Sequence, residues 1–272
     1  MISVERILQY SRLKSEAALL IEDNRPQGHW PKNGTIDFKN LQIRYVEHLP
    51  SIIKNINCTF PGKQKISVVG RTGSGKSTLI QALFRIVEPR EGSIVIDGVD
   101  IHKIGLLDLR SKLSIIPQDP TMFQGTVRGN LDPLEQYSDK EVWEVIIFLH
   151  AHNFAENGEN WSAGQRQLFC IGRALLKKSS IIVLDEATSS VDYATNEIIQ
   201  KIINAEFKNK TVVAIAHRIH TVIDNDLVLV LSDGRVAEFD SPSKLLEKED
   251  SFFSKLIKEY SMRSKSFNNL AK

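Results

Sequence analysis

Cysteine, aromatic residues and long apolar runs are all scarce in this chain. Its 272 residues include 2 cysteines, and aromatic side chains make up 7% of the total. Cys58 and Cys170 lie far apart, each within an apolar stretch. This placement favours small buried side chains over a disulfide framework or a cysteine metal site, so we expect two free thiols in a reducing compartment.

The apolar runs are too short to cross a bilayer, and residues 1–6 lack the apolar core of a signal peptide. By itself the sequence therefore predicts a soluble, cytosolic chain. The 35 basic and 33 acidic residues give a net charge of +2 and are interspersed along the sequence. Without a basic stripe or a basic amphipathic helix, nucleic acid and the membrane surface are disfavoured as partners.

The chain does contain enough apolar material for an ordinary core, since 42% of its residues are hydrophobic. This length and composition predict one domain with a smaller attached subdomain. Residues 1–22 are predicted to form a helix, and residues 26–34 a turn-rich linker. The linker would end at Gly34, so the folded domain is expected to span residues 35–272.

Two kinds of apolar pattern predict two kinds of strand. Residues 35–46 and 52–60 alternate partially between apolar and polar, as in a half-solvated antiparallel sheet. Residues 181–184 and 212–215 are unbroken apolar runs, which suit strands covered on both faces. The alternation of strands and helices predicts an α/β fold with a parallel core sheet and an antiparallel edge sheet. Helices are predicted at 76–86, 139–149, 164–176 and 194–206, and near the C-terminus.

A complete phosphate-binding pattern follows the apolar strand at 66–69. Its glycines let backbone N–H groups turn towards a phosphate, and the helix that begins at Lys76 directs its positive end at the same anion. The Lys76 ammonium would contact the β- and γ-phosphates of ATP, and the Ser77 hydroxyl would bind Mg²⁺. The completeness of the pattern disfavours a turn that binds nothing. The predicted cofactor-binding residues here are Gly70, Arg71, Thr72, Gly73, Ser74, Gly75, Lys76, Ser77 and Thr78.

An Asp-Glu pair ends the apolar run at 181–184. Because parallel sheets present ligands at the carboxyl ends of their strands, Asp185 is predicted to hold Mg²⁺ opposite Ser77, usually through water. Glu186 is predicted to polarise the attacking water. The alternative is a pair of acids that only caps a strand end, because so short a pattern recurs by chance more easily than the loop does.

Four further polar residues each have two interpretations. His217 follows the strand at 212–215 and would lie near a γ-phosphate, although a lone histidine is more often structural. Gln118 either reaches the metal or water with its amide or is a turn residue beside proline. Tyr45 either places its ring on adenine or is a half-buried strand residue. For Asp192, the N-cap of the helix at 194–206 is almost as good an explanation as a functional role.

Taken in order, these features resemble the nucleotide-binding domain of ABC transporters, and the resemblance covers nearly the whole chain. Longer stretches at 70–86, 156–162 and 216–222 resemble subfamily C, the multidrug-resistance-associated group, and specifically its second, C-terminal domain in plant members. The features are the phosphate loop, Gln118, Ser162–Gln165, Asp185-Glu186, Asp192 and His217.

The resemblance implies an ABC-type ATPase that uses ATP and Mg²⁺. Its catalytic residues would be Glu186, His217 and Gln118, and its metal-binding residues Ser77, Gln118 and Asp185. Tyr45 would stack on adenine. Gln118 would also link the γ-phosphate to the helical subdomain, at about 119–175, which meets the membrane part.

The resemblance also implies partners. Ser162, Gly164 and Gln165 would contact the γ-phosphate of ATP on a second nucleotide-binding domain, so that two domains sandwich two nucleotides head to tail. Asp192 would lie in the loop that couples the two sites. Transporters of this kind export organic anions and glutathione conjugates through transmembrane domains, in plants often into the vacuole. The chain is therefore expected at the cytosolic face of the vacuolar or plasma membrane.

Three features depart from the family pattern. The ABC signature motif corresponds to residues 161–165, which we call the signature. Trp161 stands where this motif usually has leucine, and Ala163 replaces its first glycine. Residues 144–155 are shorter and more apolar than the corresponding segment of relatives, which predicts a shortened helical subdomain, exposed apolar side chains and poor coupling. The membrane domains are missing, and residues 1–22 match the stretch that leaves the last membrane helix. We therefore expect a fragment, a truncated gene product or one piece of a split transporter.

Three functions compete on this sequence. The first is an ATPase module that powers export through a membrane partner. The second is a soluble ABC ATPase acting on DNA or ribosomes, which would usually carry coiled-coil insertions or duplicated cassettes with basic arms. The third is a nucleotide-binding remnant with impaired coupling. A turnover assay separates the first from the third, because the loop and Glu186 are intact whereas the helical subdomain is shortened.

Overall fold

The computed structural model describes residues 2–13, 15–149, 161–185, 191–216 and 219–260, which form an α/β fold with two sheets. The strands are β1 Ile36–Ile43, β2 Ile53–Phe60, β3 Lys65–Val69, β4 Glu91–Ile96, β5 Val99–Asp100, β6 Leu113–Ile116, β7 Ile181–Asp185, β8 Thr211–Ile215, β9 Leu227–Ser232 and β10 Arg235–Asp240. The helices are α1 Ile2–Ser11, α2 Lys76–Leu83, α3 Leu106–Arg110, α4 Val127–Leu131, α5 Asp139–Phe148, α6 Ala163–Lys177, α7 Tyr193–Glu206, α8 Ile219–Ile223 and α9 Pro242–Leu246, with a further helical stretch at 252–260.

The larger sheet has the order β10-β9-β3-β8-β7-β6; β10 and β9 are antiparallel, and the described pairs from β9 to β6 are parallel. Both faces are covered, as the unbroken apolar runs predicted. Along β7, Ile181 and Val183 join one core cluster, whereas Ile182 and Leu184 join another on the opposite face. This alternation follows from the period of two along a strand, and it divides the domain into two core layers.

The smaller sheet has the order β2-β1-β4-β5 and is antiparallel, which confirms the predicted edge sheet. Phe38 and Phe60 meet edge to face between neighbouring strands, with ring centroids 5.1 Å apart. Their cluster also contains Leu79 of α2 and Val68 of β3. The antiparallel sheet and the phosphate-loop helix therefore share one core.

The second cluster lies under α5, α6 and α7. Helix α5 directs Val142, Ile146 and Leu149 inward and leaves Ile147 and Phe148 56% and 41% exposed. This confirms that part of the apolar run at 144–149 meets solvent. The predicted helices at 139–149, 164–176 and 194–206 are found close to their predicted bounds. Helix α2 instead ends at Leu83, because Arg85 takes a left-handed φ of 54°.

The predicted helix over 1–22 is wrong beyond its first half, since α1 ends at Ser11. The carbonyls of Ala18 and Leu19 accept hydrogen bonds from the N–H groups of Leu106 and Leu107, at 3.0 and 2.9 Å. In a helix over 1–22 the carbonyl of Ala18 would accept a hydrogen bond from the N–H of Glu22, so its bond with α3 competes with that helix. Within the described part of the chain, no helix has the length and apolar character needed to span a bilayer.

Candidate functional site

The carboxyl ends of the parallel strands lie along one edge of the six-stranded sheet. The register places Asp185 beside Ile215, and Ile215 beside Val68. Since neighbouring strands are about 4.8 Å apart, the end of β7 lies about 10 Å from the end of β3. The loop after β3 and the acidic end of β7 therefore open onto the same edge, which is the ligand-binding edge of α/β sheets.

Three glycines of the loop have backbone conformations that other residues rarely adopt. The φ angle is 154° at Gly70, 81° at Gly73 and 101° at Gly75. Gly70 is also closely enclosed, because a Cβ there would lie 2.3 Å from the carbonyl oxygen of Leu231. Glycine is required where the backbone is left-handed or closely approached. These local demands account for the glycine spacing in the sequence.

Lys76 begins α2 and is 7% exposed. Its Nζ donates hydrogen bonds to the carbonyl oxygens of Gly70, at 2.8 Å, and Arg71, at 3.1 Å. The ammonium therefore lies within the arc of its own loop, at the positive end of α2. A phosphate that entered this arc would meet both the cation and the helix dipole.

Tyr45 lies next to the same helix and is 50% exposed. Its hydroxyl is 3.1 Å from Thr78 Oγ1 and donates to Gln81 Oε1 at 2.5 Å. Both partners belong to α2, so the ring stands beside the helix that follows the phosphate loop. Stacking on adenine stays a prediction, now with a defined position for the ring.

Gln118 and Asp185 follow neighbouring strands at the same edge. Gln118 lies two residues beyond the end of β6 and is exposed, whereas Asp185 is the last residue of β7 and is half-buried. With the exposed Ser77 in the first turn of α2, they offer amide, carboxylate and hydroxyl oxygens, which are the ligands that Mg²⁺ prefers. The remaining predicted catalytic residues, Glu186 and His217, lie outside the described residues.

The signature residues form the start of α6. Ser162 is its N-cap, and a capping box joins Ser162 to Gln165: Gln165 N donates to Ser162 Oγ at 3.2 Å and Ser162 N to Gln165 Oε1 at 2.9 Å. Trp161 is 4% exposed and stacks on Phe169, with ring centroids 4.2 Å apart. The tryptophan that replaces the usual leucine is thus a core residue that anchors this helix end. The Cβ of Ala163 is accommodated on the exposed side.

Asp192 is the N-cap of α7, and its Oδ1 accepts a hydrogen bond from Thr195 N at 3.0 Å. The structural interpretation of Asp192 is therefore confirmed, and a coupling role stays a prediction beside it. N-capping satisfies a backbone donor that the helix itself leaves unpaired. The starts of α6 and α7 also meet, because Thr195 packs on Gly164.

Sequence reasoning did not single out a basic cleft of about 440 Å³ between β6 and α6. Arg110, Arg173 and Lys177 line it, with Glu16 at its margin. Arg110 donates to both carboxylate oxygens of Glu16, at 2.7 and 3.0 Å, and this hydrogen bonding lowers the pKa of Glu16. These residues come from distant parts of the sequence, so no local pattern could have shown that they meet.

Comparison with known proteins finds that this chain is similar to ABC transporters. A family model described as ABC transporter matches residues 53–189. ABC transporter C family member 9 and putative ABC transporter C family member 15 of Arabidopsis thaliana are each 67% identical to this chain over 98% of its length. The chain covers 18% of the first protein and 26% of the second. ABC transporter C family member 13 of Oryza sativa subsp. japonica is 59% identical over 97% of this chain, and the chain covers 18% of that protein.

The chain therefore spans about a fifth of the length of the curated relatives it matches. The alignments with the Arabidopsis proteins extend over 279 residues, more than the 272 of this chain, so those relatives contain residues that it lacks. Among solved structures, a bacterial Atm1-family ABC exporter with ATP bound is similar to this chain, with a TM-score of 0.82 and 29% sequence identity. The match covers 94% of this chain and 46% of the exporter chain.

Proposed function

This chain belongs to the ABC transporter family, within its C subfamily, and we propose that it is the second, C-terminal nucleotide-binding domain of an exporter. The observation that carries the proposal is Lys76, held inside a glycine-built arc at the start of α2. On ATP binding, its ammonium would exchange two carbonyl oxygens for the β- and γ-phosphate oxygens. Ser77 and, through water, Asp185 would hold Mg²⁺, which would supply positive charge to the bound phosphates.

Hydrolysis would depend on residues at the carboxyl ends of β6, β7 and β8. Glu186 directly follows Asp185 and would polarise the attacking water. His217 follows the end of β8 and would contact the γ-phosphate, and Gln118 beyond β6 would contact the metal or the water. The parallel order of these strands is what supports a common site, because their carboxyl ends share one edge.

A second nucleotide-binding domain would complete the site. Ser162, Gly164 and Gln165 lie at the start of α6, where a helix end can receive a phosphate group. In a head-to-tail sandwich they would contact ATP bound to the partner. We place the contact with transmembrane domains at the basic cleft beside α6, because it combines a cavity with positive charge. The domain would then lie on the cytosolic face of the vacuolar or plasma membrane.

The proposed cargo is an organic anion or a glutathione S-conjugate. Family resemblance supports this class, since cargo would be chosen by membrane helices outside this chain. Transport assays with the full-length transporter in vesicles would test it by ATP-dependent uptake of a labelled glutathione conjugate. Lack of uptake beside normal ATP hydrolysis would contradict the cargo class and leave the ATPase assignment standing.

Glu186→Gln tests the ATPase proposal. The amide has the shape of the carboxylate but cannot polarise water, so Mg-ATP should stay bound while hydrolysis nearly stops. Dimers should accumulate with ATP, as measured by sedimentation velocity beside a phosphate-release assay. Turnover at the wild-type rate in this variant would move the general base to another residue.

A second candidate is a nucleotide-binding remnant with impaired coupling. The observations in its favour are the residues that this chain lacks relative to its relatives and the exposed apolar side chains on α5. The wild-type chain separates the two candidates. Steady ATP turnover supports a working module, whereas ATP binding without turnover or dimerisation supports a remnant.

A further inference from the structure

Helices α6 and α7 are in close contact where Thr195 packs on Gly164. A Cβ at position 164 would lie 2.6 Å from Thr195 Cγ2 and 3.1 Å from Thr195 Cβ. Gly164 is buried within regular α-helix, and its backbone conformation does not itself demand glycine. The side chain of Thr195 thus fills the space that any larger residue at 164 would need.

Thr195 makes its second contact through the backbone. Its N–H donates to the Asp192 carboxylate at 3.0 Å. Gly164 in turn lies between Ser162 and Gln165, whose capping box fixes the start of α6. Thr195 therefore touches the signature through its side chain and Asp192 through its main chain.

We propose that Thr195 is a positioning residue that joins the signature and the loop at Asp192 into one rigid body. Contact of the signature with ATP on a partner would then be transmitted to Asp192 of the same chain. The inference rests on the proposed function, because it requires the two-domain ATP sandwich. Thr195 acts through its neighbours and contacts no reacting atom in this arrangement. The Thr195 methyl group in this contact matters because closely packed side chains transmit the displacement of one residue to its neighbours.

Thr195→Ser tests the inference by removing only Cγ2. In the Glu186→Gln background, we expect about five-fold weaker ATP-dependent dimerisation, the usual order for the loss of one packed methyl group. Sedimentation velocity at increasing chain concentration measures it. The affinity of the monomer for Mg-ATP should match that of the parent, and the melting temperature should fall by only a few degrees, so that the monomer stays folded. Ile198→Val is the matched control, because it removes one methyl from the same helix at a side chain that is 46% exposed.

Gly164→Ala applies the opposite change and should weaken dimerisation further, since the added methyl group meets Thr195. Adding Thr195→Ser should then restore part of the loss by removing the nearest atom. Dimerisation unchanged by Thr195→Ser, or a double variant no better than Gly164→Ala alone, would overturn the inference. If the Glu186→Gln parent itself failed to dimerise with ATP, this result would contradict the proposed two-domain sandwich and the inference that rests on it.

Discussion

Lys76→Ala should separate ATP binding from folding. Lys76 donates hydrogen bonds to the carbonyls of Gly70 and Arg71, and we expect it to exchange them for bonds with phosphate oxygens when ATP binds. Hydrogen bonds that involve a charged group contribute about 1.5–3 kcal/mol each, and the lost carbonyl bonds offset part of the gain. We expect a net loss of about 3 kcal/mol of binding free energy, or roughly 100-fold in Kd.

The same change should leave the free chain folded. Losing the two carbonyl contacts should lower the free energy of unfolding by about 1–3 kcal/mol, which corresponds to a fall of a few degrees in Tm. Titration calorimetry with Mg-ATP and thermal unfolding measure the two effects separately. Lys201→Ala is the control, because it removes a lysine from an exposed position of α7. A folded Lys76→Ala chain with unchanged Kd would refute the phosphate-loop assignment.

Three further outcomes follow from the described contacts. Gly70→Ala should abolish Mg-ATP binding and lower Tm, because its Cβ would meet the Leu231 carbonyl oxygen at 2.3 Å; calorimetry at wild-type affinity would contradict this. Trp161→Ala removes a buried ring stacked on Phe169 and should cost about 3–5 kcal/mol in denaturant unfolding. Burial raises the pKa of the Cys58 thiol from 9.0 to about 12. Its alkylation at pH 8 should therefore be about 1000-fold slower than that of an exposed cysteine, which mass spectrometry can follow.

Much of the fold could be predicted because its determinants are local. The unbroken apolar runs at 181–184 and 212–215 became β7 and β8 with both faces buried. The start of α6 is equally visible, since Ser162 and Gln165 have the spacing of a capping box and the structure contains one. Both cysteines, Cys58 and Cys170, are free thiols, as expected from their apolar surroundings.

Features that depend on distant partners could not be predicted in this way. The prediction of a helix over 1–22 is too long because Ala18 and Leu19 pair with α3, about ninety residues later in the chain. Trp30, placed in a linker by its turn-rich surroundings, is 7% exposed and donates from Nε1 to the carbonyl of Ile96 at 2.8 Å. The reason for glycine at position 164 likewise becomes visible only with α7 beside it. In each case the partner is fixed by tertiary packing, which leaves no periodic trace in the local sequence.

The two core layers give the segment 144–155, which we predict to be shortened, a specific consequence. The phosphate loop rests on the cluster that contains Leu79 and Val68, whereas α5 belongs to the cluster on the other face of the sheet. Helix α5 packs on α6, where a Cβ at Gly172 would lie 2.9 Å from Leu149. A displacement of α5 would therefore reach α6, and through that helix the signature at its start, before it reached the loop. A defect in this segment should accordingly weaken contact with a partner while ATP binding to the chain itself persists.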